Sequence, residues 1–168
     1  MQRRPSGPNV KETMEKGVTV CVIAYDLQFA FSLHSVLDEW DPRVRFHLCR
    51  FEQEAIQYLK GVGVYGNREE YPLPDILFLD AHHPENADLF VLSWIRCRPE
   101  FDRVPCVVLN AEAGDRFGQK AMDLGANACV LLEKDKKALV EILDGIKELS
   151  GLRMDSMAER ESNLHLQT

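Results

Sequence analysis

Val18-Thr19-Val20-Cys21-Val22-Ile23 and Ile76-Leu77-Phe78-Leu79 are short apolar runs without polar alternation. Runs of that length and composition suit strands covered on both faces, as in a parallel sheet. Working outward, Phe29, Leu33, Val36, Leu37 and Trp40 recur at helical spacing after the first run. Val44, Phe46 and Leu48 alternate with Arg45 and His47, which predicts an edge strand with one wet face. Ala55, Ile56 and Leu59 mark the next helix. Beyond the second run, Val91, Leu92 and Ile95 mark another helix, and Val104 to Leu109 is a strand with Pro105 tolerated near its start. Phe117, Ala121 and Leu124 predict a helix closed by Gly125. A strand over Ala128 to Leu132 and a helix carrying Leu139, Ile142, Leu143 and Ile146 complete the series.

Alternating strands and helices predict an α/β fold: a doubly wound, five-stranded parallel sheet with helices on both faces. Right-handed crossovers and an edge-like second strand favour the strand order 2-1-3-4-5. In such sheets ligands lie beyond the carboxyl ends of the strands, where the winding reverses. That rule selects Ala24-Tyr25-Asp26 and Asp80 as the place to look. The expected organisation is a polar N-terminal tail over residues 1–17, one domain over 18–150 and a C-terminal tail over 151–168.

The bulk properties narrow the function. The chain has 168 residues and a formal net charge of −7, with no basic stripe, so nucleic acid is not an expected partner. No apolar run has the length of a membrane span and no signal peptide is seen, so no membrane partner is expected. The five cysteines are scattered without a CxxC pair, which reads as a reducing, cytoplasmic setting.

Tyr71-Pro72-Leu73-Pro74-Asp75-Ile76-Leu77-Phe78-Leu79-Asp80, followed by Pro84, resembles the phosphoacceptor strand of response-regulator receiver domains, the CheY-like family. Within that family it is most similar to the single-domain regulators that partner bacterial phytochromes, as is Leu124-Gly125-Ala126-Asn127-Ala128. The resemblance covers roughly residues 18–148, which is nearly the whole expected domain. It implies that Asp80 is the phosphoacceptor for a histidine kinase in a two-component phosphorelay. It also implies an acidic pair holding Mg²⁺ after the first strand, a Thr or Ser after the fourth and a Lys after the fifth.

Those further positions depart from the pattern. The acidic pair falls on Ala24 and Tyr25, the Thr or Ser on Asn110, and the Lys on Leu132, with Glu133 where proline usually follows. Asp26 and Asp80 are the carboxylates left for a metal ion, and Mg²⁺ draws on oxygen ligands that Ala24 and Tyr25 do not replace. Phosphoryl transfer between anionic partners relies on positioning and charge neutralisation, so a degenerate site is expected to lack ordinary Mg²⁺-dependent phosphorylation.

Other signals have plain readings beside sharper ones. His82 and His83 invite a metal site, but adjacent residues point apart; solvent-exposed loop histidines are expected, one of which can hydrogen-bond Asp80. Gly61-Val62-Gly63-Val64-Tyr65-Gly66 fits G-x-G-x-x-G, yet a helix precedes it where the dinucleotide fingerprint needs a strand. Tyr25 either fills the volume of the missing ion or stands half-buried with its hydroxyl in water. No nucleophile elbow or P-loop is present, so an enzyme is not expected.

The reading is a stand-alone atypical receiver, a pseudo-receiver that acts by protein–protein interaction. Its expected partners are a histidine kinase or a downstream signalling protein, and self-association would follow the family's habit. Two alternatives stand beside it: a regulator still phosphorylated on Asp80, and a flavodoxin-like enzyme that binds flavin or nucleotide.

Overall fold

The computed structural model describes residues 17–84 and 87–149. The expected tails at 1–17 and 151–168 lie outside these residues, Gly17 excepted. Five parallel strands, β1 (Thr19–Ile23), β2 (Arg45–Cys49), β3 (Ile76–Asp80), β4 (Cys106–Leu109) and β5 (Ala128–Val130), form one sheet in the order β2-β1-β3-β4-β5. The helices are α1 (Leu27–Trp40), α2 (Glu52–Lys60), α3 (Ala87–Arg96), α4 (Arg116–Asp123) and α5 (residues 136–149). The doubly wound sheet and its order agree with the sequence expectation. Among the described residues, no helix is long and apolar enough to cross a membrane.

Period-two alternation divides the core. Cys21, Ile23, Leu77, Leu79, Cys106 and Val108 face α2, α3 and α4. Val20, Val22, Ile76, Phe78, Val107 and Leu109 face α1 and α5. Because helices cover both faces, β1, β3 and β4 carry apolar residues on both, apart from Thr19 and Asp80 at strand ends, and this is why their sequences do not alternate. Burial of each large apolar side chain stabilises the fold by roughly 1.5–3 kcal/mol. Phe78, fully buried, is the largest such side chain in the three central strands.

The helix ends follow local chemistry. Asp26 caps α1, and Asp115 caps α4 by accepting from Gly118 N–H. Gly61 ends α2 at φ 67°, a left-handed conformation that costs glycine little. A Cβ there would stand 2.6 Å from the Arg68 guanidinium. Arg68 donates to the carbonyls of Tyr58 at 2.8 Å, Leu59 at 2.7 Å and Tyr71 at 3.3 Å, pinning the loop over 61–75 to the end of α2. The G-x-G-x-x-G letters thus form a helix C-cap and a 3₁₀ turn at Gly63–Tyr65, with no phosphate cradle. Gly125 follows the C-cap of α4 at φ 107° and lies against the Arg96 side chain.

Three expectations need correction. The strand expected over Val104 to Leu109 begins at Cys106, because Pro105 has no N–H for the ladder and its carbonyl alone accepts from Leu77. The fifth strand stops at Val130, and Leu131 turns away. The expected wet face of β2 holds at Arg45, which is exposed, but not at His47, which stacks on Tyr58 at 4.2 Å and meets the edges of Tyr65 and Tyr71. The long loop supplies Tyr65 and Tyr71, a tertiary contact that local alternation cannot register.

Candidate functional site

Asp80 ends β3 at the carboxyl edge of the sheet and is only 2% exposed. Both hydrogen bonds to its carboxylate fall on Oδ1, which accepts from Asn110 Nδ2 and from His82 N–H, each at 3.0 Å. Among the described residues, none falls on Oδ2. Asn110 reaches this carboxylate because its own backbone is left-handed, with φ 66°, where asparagine is tolerated better than most residues. Its N–H donates to the Val130 carbonyl, tying the turn to β5.

Asp80 opens into a cleft of about 620 Å³ lined by Asp26, Ser32, His82, Asn110, Leu132, Glu133 and Lys134 among others. Asp26 is at this mouth, but its Oδ1 accepts from Gln28 N–H at 2.9 Å and Phe29 N–H at 3.3 Å. Its first task is therefore to cap α1. Leu132 packs partly against the α1–α5 side of the core while its edge lines the cleft. Lys134, which the motif alignment passes over, also lines it and pairs with Glu112 at 3.7 Å. Both partners are mostly exposed, so that pair contributes little to stability. Lys134 follows Leu132 by two residues in a turn, and no periodic signal marks which way it faces.

The other motif positions diverge from the cleft. Ala24 is buried and its N–H donates to the Cys49 carbonyl. Tyr25 lies outside the residues lining this cleft. Its ring meets Phe51 at 5.8 Å and His83 at 6.0 Å, under the Arg50 guanidinium 4.6 Å away. Arg50 also donates to the Tyr25 carbonyl at 2.9 Å, so the residue is clamped by its backbone and its ring together.

The two histidines separate as adjacent residues should, but His83 is not the exposed loop residue expected. It is 3% exposed, and its Nε2 donates to the Arg50 carbonyl at 2.6 Å. His82 remains exposed and touches Asp80 through its backbone N–H rather than its ring.

In this cleft the carboxylates placed to meet a Mg²⁺ ion are Asp80 and Asp26. One buried carboxylate and one helix-capping carboxylate remain where an acidic pair would add more charge. Among the described residues, the His, Cys and acidic side chains that cluster tightly enough to hold a metal are elsewhere, at His47, Cys49 and Glu54.

The fold is that of response-regulator receivers. The phosphorylated cyanobacterial phytochrome response regulator RcpA superposes with a TM-score of 0.63 at 23% identity, covering 79% of this chain and 92% of that one. A response regulator in red-light signalling of R. palustris gives a TM-score of 0.64 at 17% identity, covering 74% and 90%. The Mn²⁺-bound form of Rcp1 gives 0.60 at 22%, covering 77% and 91%. In sequence, the receiver-like chain is 27% identical to the response regulator Rcp1 of Synechocystis sp. over 93 residues. That match spans 55% of this chain and 61% of the relative. No family model matches. Both comparisons therefore meet response regulators, and the structural one includes the phytochrome response regulator RcpA.

Proposed function

We propose that this chain is a two-component receiver module that signals by binding protein partners, with Asp80 at the inherited acceptor position. In this reading, ordinary Mg²⁺-dependent phosphoryl transfer is lost. The observation that carries it is the position of Asp26, whose carboxylate caps α1 while Asp80 is held by an amide and a backbone N–H. Phosphoryl transfer to a carboxylate needs its developing charge neutralised, and neutral donors supply less of that than a cation does. A histidine kinase or a downstream signalling protein is the proposed partner, and the surface of α4, β5 and α5 is the proposed contact.

The test is an NMR titration of the chain with Mg²⁺ and beryllofluoride, a mimic of the acyl phosphate, with Asp80→Asn as control. Resonances around Asp80, Asn110 and β5 are expected to stay in place. Shifts that centre on Asp80, spread to β5 and vanish in Asp80→Asn would overturn the proposal.

One observation favours a second reading. Lys134 places an ammonium group in the same cleft as Asp80, so a phosphorylated Asp80 would have a cation available without the residue missing at Leu132. Under that reading the beryllofluoride shifts appear in the native chain and weaken in Lys134→Ala.

A further inference from the structure

Away from the Asp80 cleft, β2 and the start of α2 bring together a second set of chemically capable side chains. His47 and Cys49 are two residues apart on one strand and so share a face. The connection through Arg50 and Phe51 is short, and it sets Glu54, in the first turn of α2, beside them. A ring nitrogen of His47, the Cys49 sulfur and a Glu54 oxygen all lie within 4.8 Å of one another. We propose that His47, Cys49 and Glu54 form a binding site for one Zn²⁺-class divalent cation.

The ligand chemistry selects the class. One thiolate, one imidazole and one carboxylate match a borderline-soft ion, whereas Mg²⁺ and Ca²⁺ want oxygen donors throughout. Bond lengths of about 2.0–2.3 Å place the ligand atoms of a tetrahedral Zn²⁺ about 3.5 Å apart. The widest of these separations therefore has to shorten by about 1 Å when an ion binds.

The surroundings orient these ligands as outer partners do in metal sites. Glu54 Oε1 accepts from the Tyr65 hydroxyl at 3.2 Å and Oε2 from Arg50 N–H at 3.1 Å. The His47 ring is held between the stacked Tyr58 ring and the edges of Tyr65 and Tyr71. His47 Nε2 is enclosed yet has no hydrogen-bond partner among the described residues, an arrangement that folded proteins rarely leave without a use. Cys49 is fully buried, and the Cys21 sulfur, 4.0 Å from its own, is a further thiol at hand. The half-buried Glu54 and His47 on the edge strand leave a way in for the ion.

The experiment is a titration of the reduced full chain with Co²⁺, then displacement by Zn²⁺, read by ultraviolet thiolate-to-cobalt charge transfer. The expected result is a band that saturates at one equivalent and disappears when Zn²⁺ is added. Affinity is expected to fall at least about tenfold in His47→Phe, which keeps the aromatic stack, and in Glu54→Gln, which keeps one oxygen to accept from Arg50 N–H. Cys49→Ser abolishes the band, and Cys97→Ser, which removes the exposed thiol, leaves it intact. Circular dichroism verifies that each variant is folded. No band with the native chain would overturn the proposal, as would a band lost in Cys97→Ser or unchanged in Glu54→Gln.

Discussion

Asp80 and Asp41 are both almost fully buried, at 2% and 4% exposed, yet their surroundings differ in charge. Asp41, in the turn between α1 and β2, receives Arg43 Nε at 3.1 Å and Lys147 Nζ at 2.9 Å. Lys147 comes from α5, so this carboxylate joins two helices on one face of the sheet. Asp80 has an amide and a backbone N–H and no cation among these contacts. Hydrogen bonds from Arg43, then from Lys147, hold the Asp41 carboxyl well below the usual carboxylate range. The contrast separates a carboxylate paired with two cations from one bonded to neutral donors, and each can be tested against the other.

The largest effect is expected at Asp41. Asp41→Ala should destabilise the fold by about 3 kcal/mol, at the low end for a broken buried pair because both cations left behind are half-exposed. Urea denaturation measures it, and a loss below about 1 kcal/mol would reduce Asp41 to an ordinary surface partner. The pH dependence has a fixed sign. Since the folded-state value lies below the unfolded one, the Asp41 contribution is complete above the usual value of 3.8. It is lost as pH falls through the lower folded-state value. Asp41→Asn should therefore flatten the fall of Tm on the acid side of pH 3.8, with little change in slope above it.

Asn110 comes next. Asn110→Ala should cost about 2 kcal/mol, about half from an alanine forced to positive φ and half from the lost hydrogen bond to Asp80. Asn110→Gly keeps the backbone and removes only the amide, so its cost should be about 1 kcal/mol. Equal losses in the two variants would show that the left-handed turn carries no strain.

The smallest effect is expected at Asp80 itself. Asp80→Asn keeps an oxygen acceptor for Asn110 and His82 and removes no cation contact among the described residues. Stability should change by less than about 0.5 kcal/mol, or rise. A large loss on thermal denaturation would place Asp80 with Asp41 as a structural carboxylate and end the contrast.

The fold was largely legible because a doubly covered sheet imprints itself on every position of β1, β3 and β4. Gly125 was legible for a related reason, since a chain leaving a helix at positive φ favours glycine. Asp80 could be placed at the carboxyl edge because it follows an apolar run directly. The direction of Tyr25 was not legible: whether it faced the cleft or turned toward Phe51 depended on Arg50, in the connection after β2. His83 and His82 have the same letter, and only the register of the loop after β3 sends one inward. The cluster around His47 needed Tyr65 and Tyr71 from a distant loop, and a strand's own alternation reports nothing about what later segments cover it.

Arg68 changes how the long connection between α2 and β3 behaves as a polymer. A free loop over residues 61–75 would lose entropy on closure as one span. With the guanidinium fixed to the carbonyls of Tyr58, Leu59 and Tyr71, the chain is divided into two shorter spans, each closed by its own contacts. Such a segment offers a protease little extended backbone. Nicking there should require the whole clasp to open, so its rate would measure the local stability of the end of α2.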